Sequence, residues 1–372
     1  MHNRNKIVLF DIIHPANVHY FKFVIRQLIA HEHEVIITAR QKEITYVLLK
    51  NEGFSFIKMG KNPKSTIGKV LFFIYCEIRM FFLFLKYRPS ISVSFGSSYL
   101  AHNAFIFRKI HISLDDTEHA YVNRNLYLPF SDLVITPASF RVNLGKKHIR
   151  FPGHMELFYL NPKYFIPDRS IYEFLKINRE DKYVFIRFVS WSAFHDIGQS
   201  GLSNDFKVSL VENLAQKYKV FVSSEGDIPK SIQKYKLTIP PHLVHHVLFY
   251  AEFFIGEGAT MASECAALGT PAIYINTLSA GTLEEQERLG LIYKLSNEKD
   301  IMDKIAEIES DQLIKEKLQH KIRELEKERI DLPCFLTWLI ENYPESKNFL
   351  LANRNSWIEK FKNMRLCAES LA

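Results

Sequence analysis

The chain has little of what marks the specialised classes of protein. Its four cysteines, Cys76, Cys265, Cys334 and Cys367, are spread over 372 residues and match no zinc or disulfide-framework spacing. Gly and Pro number 14 each, too few for a collagen-like or low-complexity chain. Acidic residues are outnumbered 41 to 48, and a formal charge of +7 is too small an excess to demand a nucleic-acid partner. There is no uncharged apolar run of about 18 residues, so no membrane-spanning helix is expected. The nearest stretch, VLFFIYCEIRMFFLFL at 70–85, is interrupted by Glu77 and Arg79. The opening MHNRNKIVLFDI lacks the long apolar core of a signal peptide. With so few cysteines, a reducing cytoplasm is the expected compartment.

What is present is material for a large core. Hydrophobic residues make up 47% and aromatics 13%, with Phe at 30 and Tyr at 17. The length suits two domains. Short β-rich runs alternate with helical patterns. KIVLF, HEVIIT, FSFIK, ISVS, IHISL and LVIT occupy the first half, and YVFIRF, KVFVS, FFI and PAIYI the second. Such alternation predicts an α/β chain of parallel sheets with crossover helices. A Pro-rich, aperiodic stretch at 151–168 reads as the linker between the halves. The expected organisation is residues 1–160, residues 161–345, and a helical tail over 346–372.

Parallel sheets bind ligands beyond the carboxyl ends of their strands, so the turns after strands are where chemistry is sought. IGEGATMASECAALGTPAIYI, residues 255–275, is the clearest. The amides of Gly258, Ala259 and Thr260 open a helix and offer an anion site. Thr260 adds a hydroxyl, and Glu264, a turn further on, can accept from a ribose diol. DIIHPANVH, residues 11–19, places His14 and His19 around a helix start that Asn17 can cap. A histidine there suits general-base work. LDDTEHA gathers Asp115, Asp116, Glu118 and His119, a costly grouping unless something is bound or paired. It spells no DxD-type metal motif, and no metal is expected. In FIRFVSWSAFHDIG, Arg187 with Ser190 suits a diphosphate. Each feature also has a plain structural reading: a tight turn, a capped helix, a network to Arg124 or Lys109, an arginine paired with an acid.

A fifth feature is basic and aromatic. Lys58, Lys61, Lys64, Lys69, Arg79, Lys86 and Arg88 are interleaved with Phe72, Phe73, Phe81, Phe82 and Phe84, against the single acid Glu77. It suits contact with an anionic membrane surface, or else is an ordinary buried helix. No nucleic-acid-binding module is spelled, and no nucleic-acid partner is expected.

Taken together, HPANVHYFK, DDTEHA, RFVSWSAFHD and GEGATMASECAALGTPAIYI resemble the bacterial and archaeal family known as domain of unknown function 354, in order over roughly residues 5–345. That family is similar to the glycosyltransferase B superfamily, which includes nucleotide-sugar transferases and hydrolysing UDP-N-acetylglucosamine 2-epimerases. The resemblance implies two Rossmann-like domains facing a cleft, the nucleotide sugar on the C-terminal half, the acceptor on the N-terminal half, and a C-terminal tail that crosses back. It implies that Glu264 binds the ribose and that Gly258, Ala259 and Thr260 meet the diphosphate. Arg187 and Ser190 would reach phosphate, and the loop of His14, Asn17 and His19 would carry the catalytic histidine. The epimerase pattern fits less well, because its Gly-Asp reads Gly96-Ser97 here and its His-Arg-Arg-Glu loop reads RFVSWS.

The function expected from these readings is metal-independent transfer from a nucleotide sugar, without a further cofactor. The acceptor would be a carbohydrate or a lipid-linked one, in cell-surface polysaccharide or glycoconjugate assembly. His14, His19 or a carboxylate such as Asp116 or Glu118 would deprotonate it. The helix-end amides, Thr260 and Arg187 would stabilise the departing diphosphate. A nucleotide-sugar epimerase and a non-catalytic sugar-nucleotide-binding protein are the alternatives. The expected location is the cytoplasm, including the inner face of the cell membrane.

Overall fold

The computed structural model describes residues 5–189, 202–276, 280–354 and 356–363. The chain divides into two compact units, Met1–Tyr159 with Arg329–Ala372, and Leu160–Glu328. Among the described residues, twelve strands form two sheets, and all of them pair in parallel. The chain is therefore α/β, as its alternation predicts.

In the first unit the strands are β1 (Ile7–Ile12), β2 (Glu34–Arg40), β3 (Ile57–Gly60), β4 (Ile91–Phe95), β5 (Ile110–Leu114), β6 (Leu133–Pro137) and β7 (His148–Phe151). Their order is β3-β2-β1-β4-β5-β6-β7. The order reverses between β1 and β4, which makes that edge the topological switch point. Helices cover the sheet, so its central strands bury both faces and read as continuous apolar runs such as Val8-Leu9-Phe10. The helix Pro15–Ala30 starts on a proline and buries Val18, Phe21, Val24, Ile25 and Leu28 at helical spacing.

The second unit contains β8 (Tyr183–Phe188), β9 (Lys219–Ser224), β10 (Phe254–Gly256), β11 (Ala272–Ile275) and β12 (Tyr293–Leu295), in the order β12-β11-β10-β8-β9. Its core joins Val184, Ile186, Phe188, Leu210, Val222 and Ile255. Here the order reverses between β8 and β10.

β7 and β12 were not anticipated. Each is short, carries a charged residue (Arg150, Lys294) and lies at a sheet edge, where alternation gives little signal. The stretch expected to be a linker is buried at most positions from Phe151 through Leu160, with Met155, Leu157, Phe158 and Tyr159 inside. Cys76 and Cys265 are free and buried. No helix among the described residues is long and apolar enough to cross a membrane.

After Glu328 the chain belongs with the first unit, so residues 329–345 stand there rather than with the second half. The helix Leu332–Glu341 packs on Pro15–Ala30. Thr337 Oγ1 donates to buried Gln27 Oε1 at 2.7 Å. Lys6 Nζ donates to the carbonyls of Ile340 (2.9 Å), Glu341 (2.6 Å) and Tyr343 (3.3 Å). A cation placed on orphan carbonyls at a helix end is favoured both by hydrogen bonding and by the helix dipole. Beyond it, Trp357 is buried and stacks on Phe335 with ring centroids 4.8 Å apart. Of the expected tail, residues 364–372 lie outside the described residues.

This clasp has a measurable consequence. Lys6→Met removes three charge-assisted hydrogen bonds, of a kind worth about 1.5–3 kcal/mol each at most. Amide exchange across Leu332–Glu341 is expected to accelerate by at least tenfold, while exchange in the second unit is unchanged.

Candidate functional site

The second unit builds its candidate site at the β8–β10 switch point. β10 ends at Gly256, where a Cβ would lie 2.2 Å from the Phe254 ring, so this glycine serves packing. Glu257 follows. Its amide donates to Arg187 O at 3.1 Å, and its buried carboxylate accepts from Val189 N and Leu202 N, both at 2.9 Å. Lys207 Nζ stands 3.9 Å away. Glu257 thus ties together the strand ends around the site. Sequence reasoning passed over it as one letter of a glycine-rich turn; an acid set between two glycines at a strand end was the available signal.

Gly258 is the N-cap of the ten-residue helix Ala259–Leu268 and, as a glycine, has no side chain with which to cap it. Gly258 and Ala259 are half-buried and Thr260 is exposed, and the first amides of a helix have no partner within it. Glu264 lies four residues after Thr260, on the same helix face. Its Oε1 is 3.0 Å from His245 Nε2, and both side chains are buried. Ser263 Oγ donates to Gln286 Oε1 at 2.9 Å. One polar face therefore descends from the open helix start to a held carboxylate. Gly258, Ala259, Thr260 and Glu264 stand together at the start and on the first two turns of this one helix.

Arg187 lies on β8 opposite Ser223 of β9. It donates to Ser223 Oγ at 2.6 Å and to Glu225 Oε1 at 2.8 Å, which realises its plain reading as an arginine paired with an acid. Ser190 lies outside the described residues.

The other expected residues fall along the carboxyl edge of the first sheet, after β1 and β5. His14 caps the helix Pro15–Ala30. Its Nδ1 accepts from Ala16 N at 3.2 Å, and Asn17 Oδ1 accepts from His14 N at 3.0 Å. Burial, with Lys42 and Arg40 nearby, lowers its pKa from 6.5 to about 4. An imidazole that accepts at Nδ1 and stays neutral carries its proton on Nε2 and is a donor there. His19 stacks on Tyr159 with centroids 5.0 Å apart. Asp11, fully buried at the end of β1, faces Thr38 of β2 and accepts from its hydroxyl at 2.7 Å. Burial raises its pKa against the lowering contacts of Ser97, Thr38 and Tyr99. It fastens strand ends.

After β5, Asp115 accepts from the Tyr127 hydroxyl and from Thr117 N at 2.8 Å. Asp116 accepts from Thr117 Oγ1 at 2.9 Å. Crowding by the surrounding protein and then the charge of Asp115 push its carboxyl from 3.8 up to about 7. Glu118 is engaged with Arg141, accepting from its backbone N at 2.6 Å. Among the described residues, no three His, Cys, Asp or Glu side chains converge as metal ligands do.

Residues 6–332 match the family described as "Protein of unknown function (DUF354)". The chain belongs to that family. An uncharacterized protein of Methanocaldococcus jannaschii, MJ0665, is 24% identical over 282 residues, which are 72% of this chain and 81% of that one. Among solved structures, the fold is similar to spinosyn forosaminyltransferase SpnP, with a TM-score of 0.64 at 13% identity over 91% of this chain and 99% of that one. It is also similar to the UDP-GlcNAc 2-epimerase of Neisseria meningitidis bound to UDP-GlcNAc, with a TM-score of 0.61 at 11% identity over 86% and 98%. The fold is glycosyltransferase B-like.

The Asp115–Asp116 pair can be tested directly. Carboxyl NMR is expected to show Asp116 titrating near pH 7. Asp115→Asn should move that midpoint down, because the neighbouring negative charge is lost while Tyr127 keeps an acceptor.

Proposed function

We propose that this member of the family is a glycosyltransferase that takes its sugar from a nucleoside-diphosphate donor. The observation that carries the reading is the uncapped start of Ala259–Leu268 at the β8–β10 switch point, with Glu264 one turn below Thr260. Helix-start amides and the Thr260 hydroxyl suit a diphosphate, and a carboxylate held by His245 suits a ribose diol. The relative that binds UDP-GlcNAc makes a uridine nucleotide the first donor to try.

In the reaction, the acceptor hydroxyl loses its proton to a base, its oxygen bonds to C1 of the sugar, and the C1–O bond to the diphosphate breaks. Negative charge grows on the departing diphosphate, where the helix amides and Thr260 meet it. This reading assigns no step to a metal or a further cofactor. For the base we favour Asp116 over the other candidates. A carboxyl near pH 7 is poised to exchange a proton at neutral pH, whereas His14 spends Nδ1 on its cap and Glu118 is engaged with Arg141. The acceptor is a carbohydrate hydroxyl, free or lipid-linked, and cell-surface glycoconjugate assembly is the setting that suits it.

An epimerase on the same fold would need a carboxylate where Ser97 stands after β4. Ser97 is buried beside Asp11 and has no acid–base chemistry of its own near neutral pH. Incubating the protein with UDP-N-acetylglucosamine in heavy water is expected to leave C2 free of deuterium; label at C2 would replace the transferase reading with epimerisation.

The two roles separate by mutation. Glu264→Ala is expected to weaken calorimetric binding of UDP by ten- to a hundredfold, about 1.4–2.8 kcal/mol, with the fold intact. Asp116→Asn should leave UDP affinity within about twofold and reduce transfer by on the order of a hundredfold or more.

A further inference from the structure

The helix Thr66–Tyr87 has two apolar faces. Cys76, Met80 and Phe84 turn inward to the core. Ile67, Leu71, Ile74, Ile78, Phe82 and Leu85 turn outward at helical spacing, with Ile67 76% and Phe82 62% exposed. A soluble face of this kind is normally polar. The one acid of the helix, Glu77, is drawn inward to His102 Nδ1 (2.6 Å) and Asn103 Nδ2 (3.0 Å), so the outward face carries only cations among its apolar side chains. The patch continues onto the neighbouring helix Ser98–Ile106. Phe107 packs on Phe81 and Phe84, and Phe105 and Ile106 are 61% and 59% exposed.

Where that patch ends, a cavity of about 560 Å³ opens. Arg108 and Lys109 line it just before β5, and Lys146 and Lys147 just before β7; Lys347 closes it, against Asp132 as its one carboxylate. Asp132 is already engaged by His111 N (3.0 Å) and Lys347 Nζ (3.4 Å). The cavity sits at the amino ends of the strands. It is thus on the edge of the first sheet opposite the turns that carry His14 and Asp116 and belongs to neither candidate site.

We infer that this edge of the first unit docks on an anionic bilayer, with the apolar helix faces in the acyl boundary and a lipid phosphate in the Arg108–Lys109–Lys146 cavity. The helix cannot span a membrane, because charges interrupt it and its inner face belongs to the core. Greasy side chains beside a cationic pocket match what an anionic leaflet offers at adjacent depths, hydrocarbon and phosphate. A second copy of the chain would bring the same cations against each other across a twofold axis. The inference does not rest on the nucleotide-sugar reading.

Flotation of the whole chain with vesicles tests it. Equimolar phosphatidylglycerol–phosphatidylcholine vesicles are expected to carry the protein, less so as salt rises, and pure phosphatidylcholine to carry far less. The combined variant Arg108→Gln, Lys109→Gln, Lys146→Gln changes only exposed side chains. It should lower partition by on the order of a hundredfold while keeping its melting temperature. Ile78→Ser with Phe82→Ser should lower partition at every salt level. The proposal falls if the triple variant floats as well as the parent, or if neutral and anionic vesicles bind alike. It falls equally if glycerol 3-phosphate raises the melting temperature through these cations while vesicles leave the protein in solution. Self-association abolished by the Ile78 and Phe82 changes, without flotation, would assign the face to a second copy and also overturn it.

Discussion

A parallel strand cannot be joined to its neighbour by a tight turn; the chain must travel the length of the sheet and return through a crossover. Both units of this protein obey that constraint, and most of their properties follow from it. Every crossover delivers the next strand in the same direction, so all carboxyl ends gather on one edge and all amino ends on the other. The carboxyl edge collects the turns with open amides and poised carboxylates. The amino edge receives the ends of the crossover helices, which explains why Phe105, Arg108 and Lys109 arrive there together.

The same constraint creates a weak point in each unit. At the switch point two neighbouring, ladder-paired strands send their chains away in opposite directions, so a crevice opens beyond their carboxyl ends. Each unit places a buried carboxylate there. Asp11 at the end of β1 meets Ser97 and Tyr99 after β4 as well as Thr38 of β2, and Glu257 holds the amides of Val189 and Leu202 at the end of β10. A buried charge is costly unless its lone pairs are filled. Glu257 fills them with two amides and a nearby lysine, and burial pushes Asp11 toward the protonated form. These carboxylates shape the edge on which the neighbouring chemistry stands.

Much of this was legible from the chain alone. IHISL and YVFIRF fill β5 and β8 end to end, because buried parallel strands are rich in β-branched and aromatic residues, interrupted here only by His111, Ser113 and Arg187. The turn at Gly258–Thr260 was legible because glycine, a hydroxyl and a helical pattern followed an apolar strand directly. Partnership was not legible. Nothing in FIRF says that Arg187 will lie opposite Ser223, since register between strands is settled only in three dimensions. Nor does HPAN reveal that the His14 ring will turn back onto its own helix, a local hydrogen bond that competes with any role in chemistry. The return of Leu332–Glu341 to the first unit hangs on Lys6 and Gln27, residues that are unremarkable until the carbonyls and hydroxyl they serve are in place.

The central claim is that the second unit receives a nucleoside diphosphate on the open start of the helix Ala259–Leu268. Amide hydrogen exchange of the whole chain, with and without saturating nucleoside diphosphate, addresses it without any mutation. Slowed exchange at Gly258, Ala259 and Thr260 is the result expected. Calorimetric binding accompanied by unchanged exchange at those three amides, with protection confined to the turns after β1, β4 and β5, would contradict it.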